Sequence, residues 1–190
     1  KKKGHVASHI YKLLEGMKGC PMSHFKHKWV LHGGGSNITA ISESTWRKIW
    51  LSPFSDKISP PVAQARFWSI HKNFWTLARI HKLGLRESPS CWHCGKAMGD
   101  LPHIFFHCSC ARLLWQRIQG TLQHMTDTIV PIDFLTTTLG LHANPHVQDL
   151  PPAVVPLLDL LIARGSKIIL SDWKSCETSS FTRWWNLVCS

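Results

Sequence analysis

The run Cys91-Trp92-His93-Cys94-Gly95-Lys96-Ala97-Met98-Gly99-Asp100-Leu101-Pro102-His103-Ile104-Phe105-Phe106-His107-Cys108 limits this chain's folding more than any other stretch. It spells C-x2-C-x8-H-x4-C. A C-x2-C turn aims both sulfurs at one point, and Gly95 directly after it supplies the backbone freedom such a turn needs. The H-x4-C pair suits a helical or turn-like segment, with Ile104, Phe105 and Phe106 as apolar packing. Gly99 and Pro102 let the intervening gap fold back. Three thiolates and an imidazole can close a tetrahedral zinc site, and the expected ligands are Cys91, Cys94, His103 and Cys108. His93, His107 and Cys110 are close by, so His107 or Cys110 in place of His103 or Cys108 stays open. The competing reading is a set of buried thiols and a core histidine.

A catalytic zinc needs an open coordination position and a nearby base. There is no H-E-x-x-H, and no Glu lies between Glu87 and Glu177. Asp100 is the only carboxylate inside the motif. G-x-S-x-G, paired carboxylates and a Walker sequence are absent. A structural site is therefore expected, in a chain that is not itself an enzyme.

Charge is unevenly placed. Residues 1–82 hold fourteen Lys/Arg against three acids, whereas residues 83–190 hold eight of each. The whole surplus of +11 thus precedes the Cys/His run, which favours nucleic acid or an acidic surface as partner. Seven Cys, four of them within positions 91–110, fit metal use in a reducing compartment better than a disulfide framework. Lys1-Lys2-Lys3-Gly4-His5 has no signal-like apolar run behind it, and no apolar run is long enough for a membrane helix. With no initiator Met, a segment of a longer product is expected.

Apolar periodicity reads as helix nearly throughout. A first helix is expected over residues 5–18, then a basic–aromatic patch at His24, Lys26, His27, Lys28 and Trp29, and a linker at Gly33-Gly34-Gly35. Ser42 or Ser44 can cap a short helix carrying Trp46, Ile49, Trp50 and Leu51, which Pro53 ends. Pro60-Pro61 open the next helix. It is expected to run unbroken from Val62 to Leu83, with its aromatics packed and with Arg66, Lys72, Arg79, His81 and Lys82 along it as phosphate contacts. A helix from Leu113 to about Met125, a short segment at Pro131–Leu139, a strongly apolar helix from Val154 to Trp173 weakened at Gly165, and a last helix at Phe181–Val188 follow. The fold class is mostly α: helices around a small zinc-bound Cys/His knot with room for a short hairpin. Three segments are expected: basic 1–58, helix and knot 59–126, and a Trp-containing tail 127–190. Ten Trp against one Tyr imply several ring-anchored helical clusters.

Trp75-Thr76-Leu77-Ala78-Arg79-Ile80-His81-Lys82-Leu83-Gly84-Leu85, then Ser88-Pro89-Ser90-Cys91-Trp92-His93-Cys94-Gly95, Gly99 through Cys108 and Leu114-Trp115 together resemble the C-terminal region of vertebrate LINE-type (non-LTR) retrotransposon endonuclease–reverse transcriptase polyproteins. Leu139-Gly140-Leu141, Ala163-Arg164 and Trp173-Lys174 extend the likeness. It covers roughly residues 40–190 and is densest over 65–120. Leu77 departs from the family, standing where proline is common. The resemblance implies a zinc-knuckle-like element on Cys91, Cys94, His103 and Cys108. It implies binding of element RNA, with target DNA as a second partner, during target-primed reverse transcription. It also implies attachment to the rest of the polyprotein and a nuclear and cytoplasmic ribonucleoprotein location. The polymerase and endonuclease carboxylates have no counterparts here. The nucleic-acid contacts expected are Lys26, Lys28, Arg66, Lys72, Arg79, His81, Lys82 and Trp92, with Trp92 or His93 offered for stacking. The alternatives are a structural or protein-interaction module, or the remnant of a decayed copy.

Overall fold

In the computed structural model, which describes residues 26–27, 29, 38–39, 41–55, 58–173 and 180–189, helices follow most of the apolar runs marked by the sequence. The helix expected over residues 5–18, the Gly33–Gly35 linker and Lys28 lie outside the described residues. The chain divides into two compact units, Lys1–Ala40 and Ile41–Ser190. In the first, Trp29 and Ile38 are buried, Lys26 is half-buried and His27 exposed. Everything below concerns the second.

Ser42 starts α1, Glu43–Leu51, by accepting the Thr45 N–H at 3.1 Å, and Pro53 ends it within a 3-10 turn. Ser59 stands at the start of α2, Pro60–His71, its carbonyl accepting the Val62 and Ala63 N–H groups at 3.0 Å, with proline at the position that needs no N–H. The expected continuation to Leu83 does not form. Lys72 turns left-handed (φ 53°) and its N–H closes on Ser69 and Trp68, which ends the helix. Phe74 then enters the core, its ring centroid 5.7 Å from that of Phe105. The Thr76 hydroxyl accepts the Arg79 N–H and starts α3, Leu77–Lys82. A buried aromatic and a capping threonine outweigh the continuous helical periodicity. Leu77 is the first helical residue of α3, the position where proline is accepted, so its departure from the family pattern leaves the geometry of this turn in place.

After the Cys/His segment come α4, Ser109–Thr126; α5, Phe134–Leu139; α6, Val155–Asp172; and α7, Phe181–Cys189. α6 is apolar around most of its circumference, and such a helix must be covered on several sides. It packs against α2, α4, α5 and α7, and so forms the centre of the unit. Trp184 fastens α7 to it by donating from Nε1 to the Leu161 carbonyl at 2.9 Å. Among the described residues there is no strand; the expected hairpin reduces to one antiparallel bridge, Ser90 with Met98. No helix of the described residues is long and apolar enough to cross a membrane.

Gly165 does not weaken α6. It is where Trp115 crosses: a Cβ there would stand 2.7 Å from Trp115 Cζ3 and 2.9 Å from Ile118 Cδ1. Gly165→Ala must push the ring of a buried tryptophan, and overpacking of this kind costs about 1–3 kcal/mol. Thermal unfolding should fall by roughly 2–4 °C per kcal/mol in a chain of this size. An unchanged midpoint would mean that the α4–α6 contact is looser than described.

Arg66 is the main correction to the expected nucleic-acid surface. It is 6% exposed and bonded through both terminal nitrogens to the Asp159 carboxylate, with Nη2 to Oδ1 at 2.9 Å. The Leu141 N–H donates to the same Oδ1 at 2.7 Å. The guanidinium joins α2 to α6 and has no face left for a phosphate. Gly140 (φ 95°) permits this approach, since a Cβ there would lie 2.9 Å from Asp159 Oδ1. Burial pushes the Asp159 carboxyl upward, but the Arg66 charge and the bonds it accepts outweigh that and hold it below the usual carboxylate range.

Candidate metal centre

Two short backbone devices aim the four donors. The first is the turn after Pro89. The Cys91 N–H donates to the Ala97 carbonyl and the Gly95 N–H to the Cys91 carbonyl, both at 2.8 Å, and Gly95 takes φ 67°. The ribbon closes where the Gly99 N–H reaches the Pro89 carbonyl, also at 2.8 Å. Its outer side is pressed on α3, because the Ala78 N–H donates to the Gly99 carbonyl and a Cβ on Gly99 would meet Leu77 Cβ at 2.9 Å.

The second device is a π turn, His103–His107. Its Cys108 N–H donates to the His103 carbonyl at 2.7 Å. A π turn bonds residue i to i+5, so the H-x4-C spacing places the two ligands at either end of one hydrogen-bonded ring. Asp100 starts the turn by accepting the His103 N–H at 2.9 Å, which gives the motif's one carboxylate a structural task. Trp115 holds it from below, donating from Nε1 to the Phe105 carbonyl at 2.7 Å.

As a result the donor atoms of Cys91, Cys94, His103 and Cys108 all lie within 4.8 Å of one another. Cys91 Sγ is 3.9 Å from Cys108 Sγ, and Cys94 Sγ is 3.3 Å from His103 Nε2. Bonds of about 2.3 Å to sulfur and about 2 Å to nitrogen at tetrahedral angles require separations of ~3.8 Å and ~3.5 Å. The four groups thus fit a metal ion. Exposed His107 and half-buried Cys110 are not in the group. Cys91 and Cys108 belong to the same buried cluster as Trp115 and Ile162, so the site is a corner of the core.

Without a cation the cluster is electrostatically poor. Burial, with the Cys108 sulfur as a further neighbour, pushes the Cys91 thiol up to about 11, and burial raises Cys108 as well. Cys94, near the surface, goes the other way: backbone N–H groups of Lys96 and Ala97 outweigh its slight burial and lower it. Burial lowers His103 against the opposing pull of Asp100, which leaves a neutral ring with a lone pair to give. A divalent cation reverses the balance for the thiols by favouring their anions. The crevice beside Cys91 and Cys108, walled by Leu77, Ile104 and Trp173, measures only about 10 Å³. That is at the limit for a single water.

The residues expected to touch nucleic acid are scattered in their surroundings. Arg79 and Lys82 are exposed on α3, and Trp92 projects from the C-x2-C turn. Lys72 is half-buried and its amine is lowered by burial to about 8. His81 Nδ1 donates to the Arg86 carbonyl at 2.9 Å, a loop tie. Lys26 lies in the first unit. Sequence reading passed over two residues beside the knot, Trp75 and Arg86. The ring of Trp75 is covered by Arg79, and Arg86 lies over the ring of Trp92. The spacing of Trp75 and Arg79, four apart at a helix start, was the available signal; Arg86 carried none.

A comparison with curated proteins gives no match. Residues 34–115 match the family model described as zinc-binding in reverse transcriptase, a span that contains α1 to α3, all four convergent donors and both Arg–Trp contacts. Over these residues the chain is similar to the zinc-binding region associated with reverse transcriptases.

Proposed function

We propose that this chain is a zinc-dependent, non-catalytic nucleic-acid-binding accessory region of a LINE-type retrotransposon reverse transcriptase. Element RNA is its main ligand and target DNA a second one during target-primed reverse transcription. The convergence of Cys91, Cys94, His103 and Cys108 inside a span that matches reverse-transcriptase zinc-binding regions carries the reading. A soft thiolate-rich set with one imidazole in tetrahedral array favours zinc. The metal would supply a cross-link between the knuckle turn and the π turn. The residues around it then do the binding: Arg79, Lys82 and Lys96 are exposed cations on or beside the ribbon, and Arg112 is exposed on the first turn of α4.

Four such contacts on a single strand predict a slope of about −3 in log affinity against log salt, or roughly a 50-fold loss between 50 and 200 mM. A gel-shift series on single-stranded RNA measures it. Absence of binding at the lowest salt would remove the reading. A protein-interaction module is the second reading, favoured by Leu83, Leu85 and Met98, which are more than half exposed beside the same ribbon. It predicts salt-independent capture of the upstream polymerase segment and no RNA shift.

A further inference from the structure

Two exposed tryptophans flank the knot, and each has an arginine against its ring. Arg79 Cζ lies 5.0 Å from the centroid of Trp75, and Arg86 Cζ lies 4.8 Å from that of Trp92. Neither pair is on a loose tail. Trp75 directly precedes the Thr76 cap, so Arg79 folds back over it across the first turn of α3, and buried Leu77 locks that turn to Gly99. Trp92 is set by the C-x2-C turn, and Arg86 is tied through its carbonyl to His81.

Despite this the two residues keep 50% and 39% of their surface exposed, whereas Trp46, Trp115, Trp173 and Trp184 keep 8% or less; Trp68 and Trp185 are as open, at 43% and 42%, and it is the guanidinium on the ring that sets Trp75 and Trp92 apart among the described residues. An indole whose task is packing is covered by its neighbours. A held indole with one face on a guanidinium and much of its area in solvent is prepared for a second flat partner. Residues 75–99 hold four Lys/Arg against one acid, Glu87, so that partner should be anionic. Flat groups joined by negative charge describe unpaired nucleotides; in a duplex the base faces are already occupied.

We propose that Trp75–Arg79 and Trp92–Arg86 are two stacking seats for unpaired bases of a single strand, one before α3 and one after it. The proposal deepens the nucleic-acid reading above and rests on it. The zinc-loaded full chain is titrated with a labelled oligothymidylate dodecamer and with a dodecamer of abasic sites, which keeps the phosphates and lacks the bases. The wild type should prefer the thymidylate. Trp75→Ala and Trp92→Ala should each weaken thymidylate binding roughly five- to a hundredfold, leave abasic binding and the salt slope unchanged, and keep metal content and circular dichroism at the wild-type level. Trp75→Phe and Trp92→Phe should retain most of the affinity. Equal wild-type affinity for the two oligonucleotides, a comparison that needs no variant, overturns the seats while phosphate binding stands. So does an equal loss on both. Binding of neither oligonucleotide, together with no shift of single-stranded RNA at the lowest salt, overturns the underlying nucleic-acid reading.

Discussion

Purified without chelator, the chain should carry about one zinc, and Cys91→Ser/Cys94→Ser should carry almost none. Structural zinc contributes an apparent ~10–16 kcal/mol in small zinc-binding peptides, comparable with the ~5–15 kcal/mol that separates a whole domain from its unfolded state. Here the loss falls on the core, because Cys91 and Cys108 are members of the main buried cluster. The thermal midpoint of the double variant should drop by more than about 10 °C, a drop that corresponds to a few kcal/mol at this size. Two controls separate ligand from bystander. Cys110→Ser and His107→Ala should keep both the metal and the midpoint, since neither residue is in the convergent group. If the double variant retains metal and stability, or if Cys110→Ser loses them, the ligand assignment is wrong.

Arg66→Met should be the most damaging single change away from the metal. It leaves the Asp159 carboxylate in the core with the Leu141 N–H and only the weaker pull of His142, a loss of about 3–5 kcal/mol. The midpoint should fall by roughly 6–20 °C. Replacing both partners, Arg66→Met with Asp159→Leu, should recover most of that, because the pair's worth is largely the avoidance of an orphaned charge. The pair also sets the acid limb of stability. Asp159 titrates lower folded than unfolded, so its contribution is complete above the ordinary carboxyl value of about 3.9. It is lost as pH falls through the depressed folded value. A pH series of denaturant midpoints should show a steep acid limb in the wild type that flattens in the double variant. Parallel limbs would sink the argument.

The helical architecture and the donor set were legible because both rest on local spacing. Ser42, Ser59 and the Pro60-Pro61 pair mark helix starts, and a nearly all-apolar run identifies α6 as the helix that must lie inside. The C-x2-C turn and the H-x4-C pair carry the geometry of the knot, although the π turn that converts five-residue spacing into convergence is written nowhere else. The stretch from Val62 to Leu83 was not legible in the same way. Its period is helical throughout, yet Lys72 breaks it, and the expected roles are inverted at three points: the charged Arg66 goes in and the aromatics Trp68 and Trp75 stay out. Each exception depends on a residue far along the chain or on the ribbon folded beside it. Asp159 is 93 positions from Arg66, and no periodicity in one segment reports a partner at that distance.

That distance also orders events in time. The four donors are confined to positions 91–108, a loop short enough to close as soon as it has been synthesised. Bringing Asp159 to Arg66 closes a loop several times longer, at an extra entropy of about 1.5 kcal/mol, and cannot begin until α6 exists. Loop length therefore predicts that the knot's donors meet before the Arg66–Asp159 pair does, although their packing is completed only with the core, an order that pulse-labelled hydrogen exchange would measure. α2 carries a guanidinium without its carboxylate until the last third of the chain arrives to complete the core.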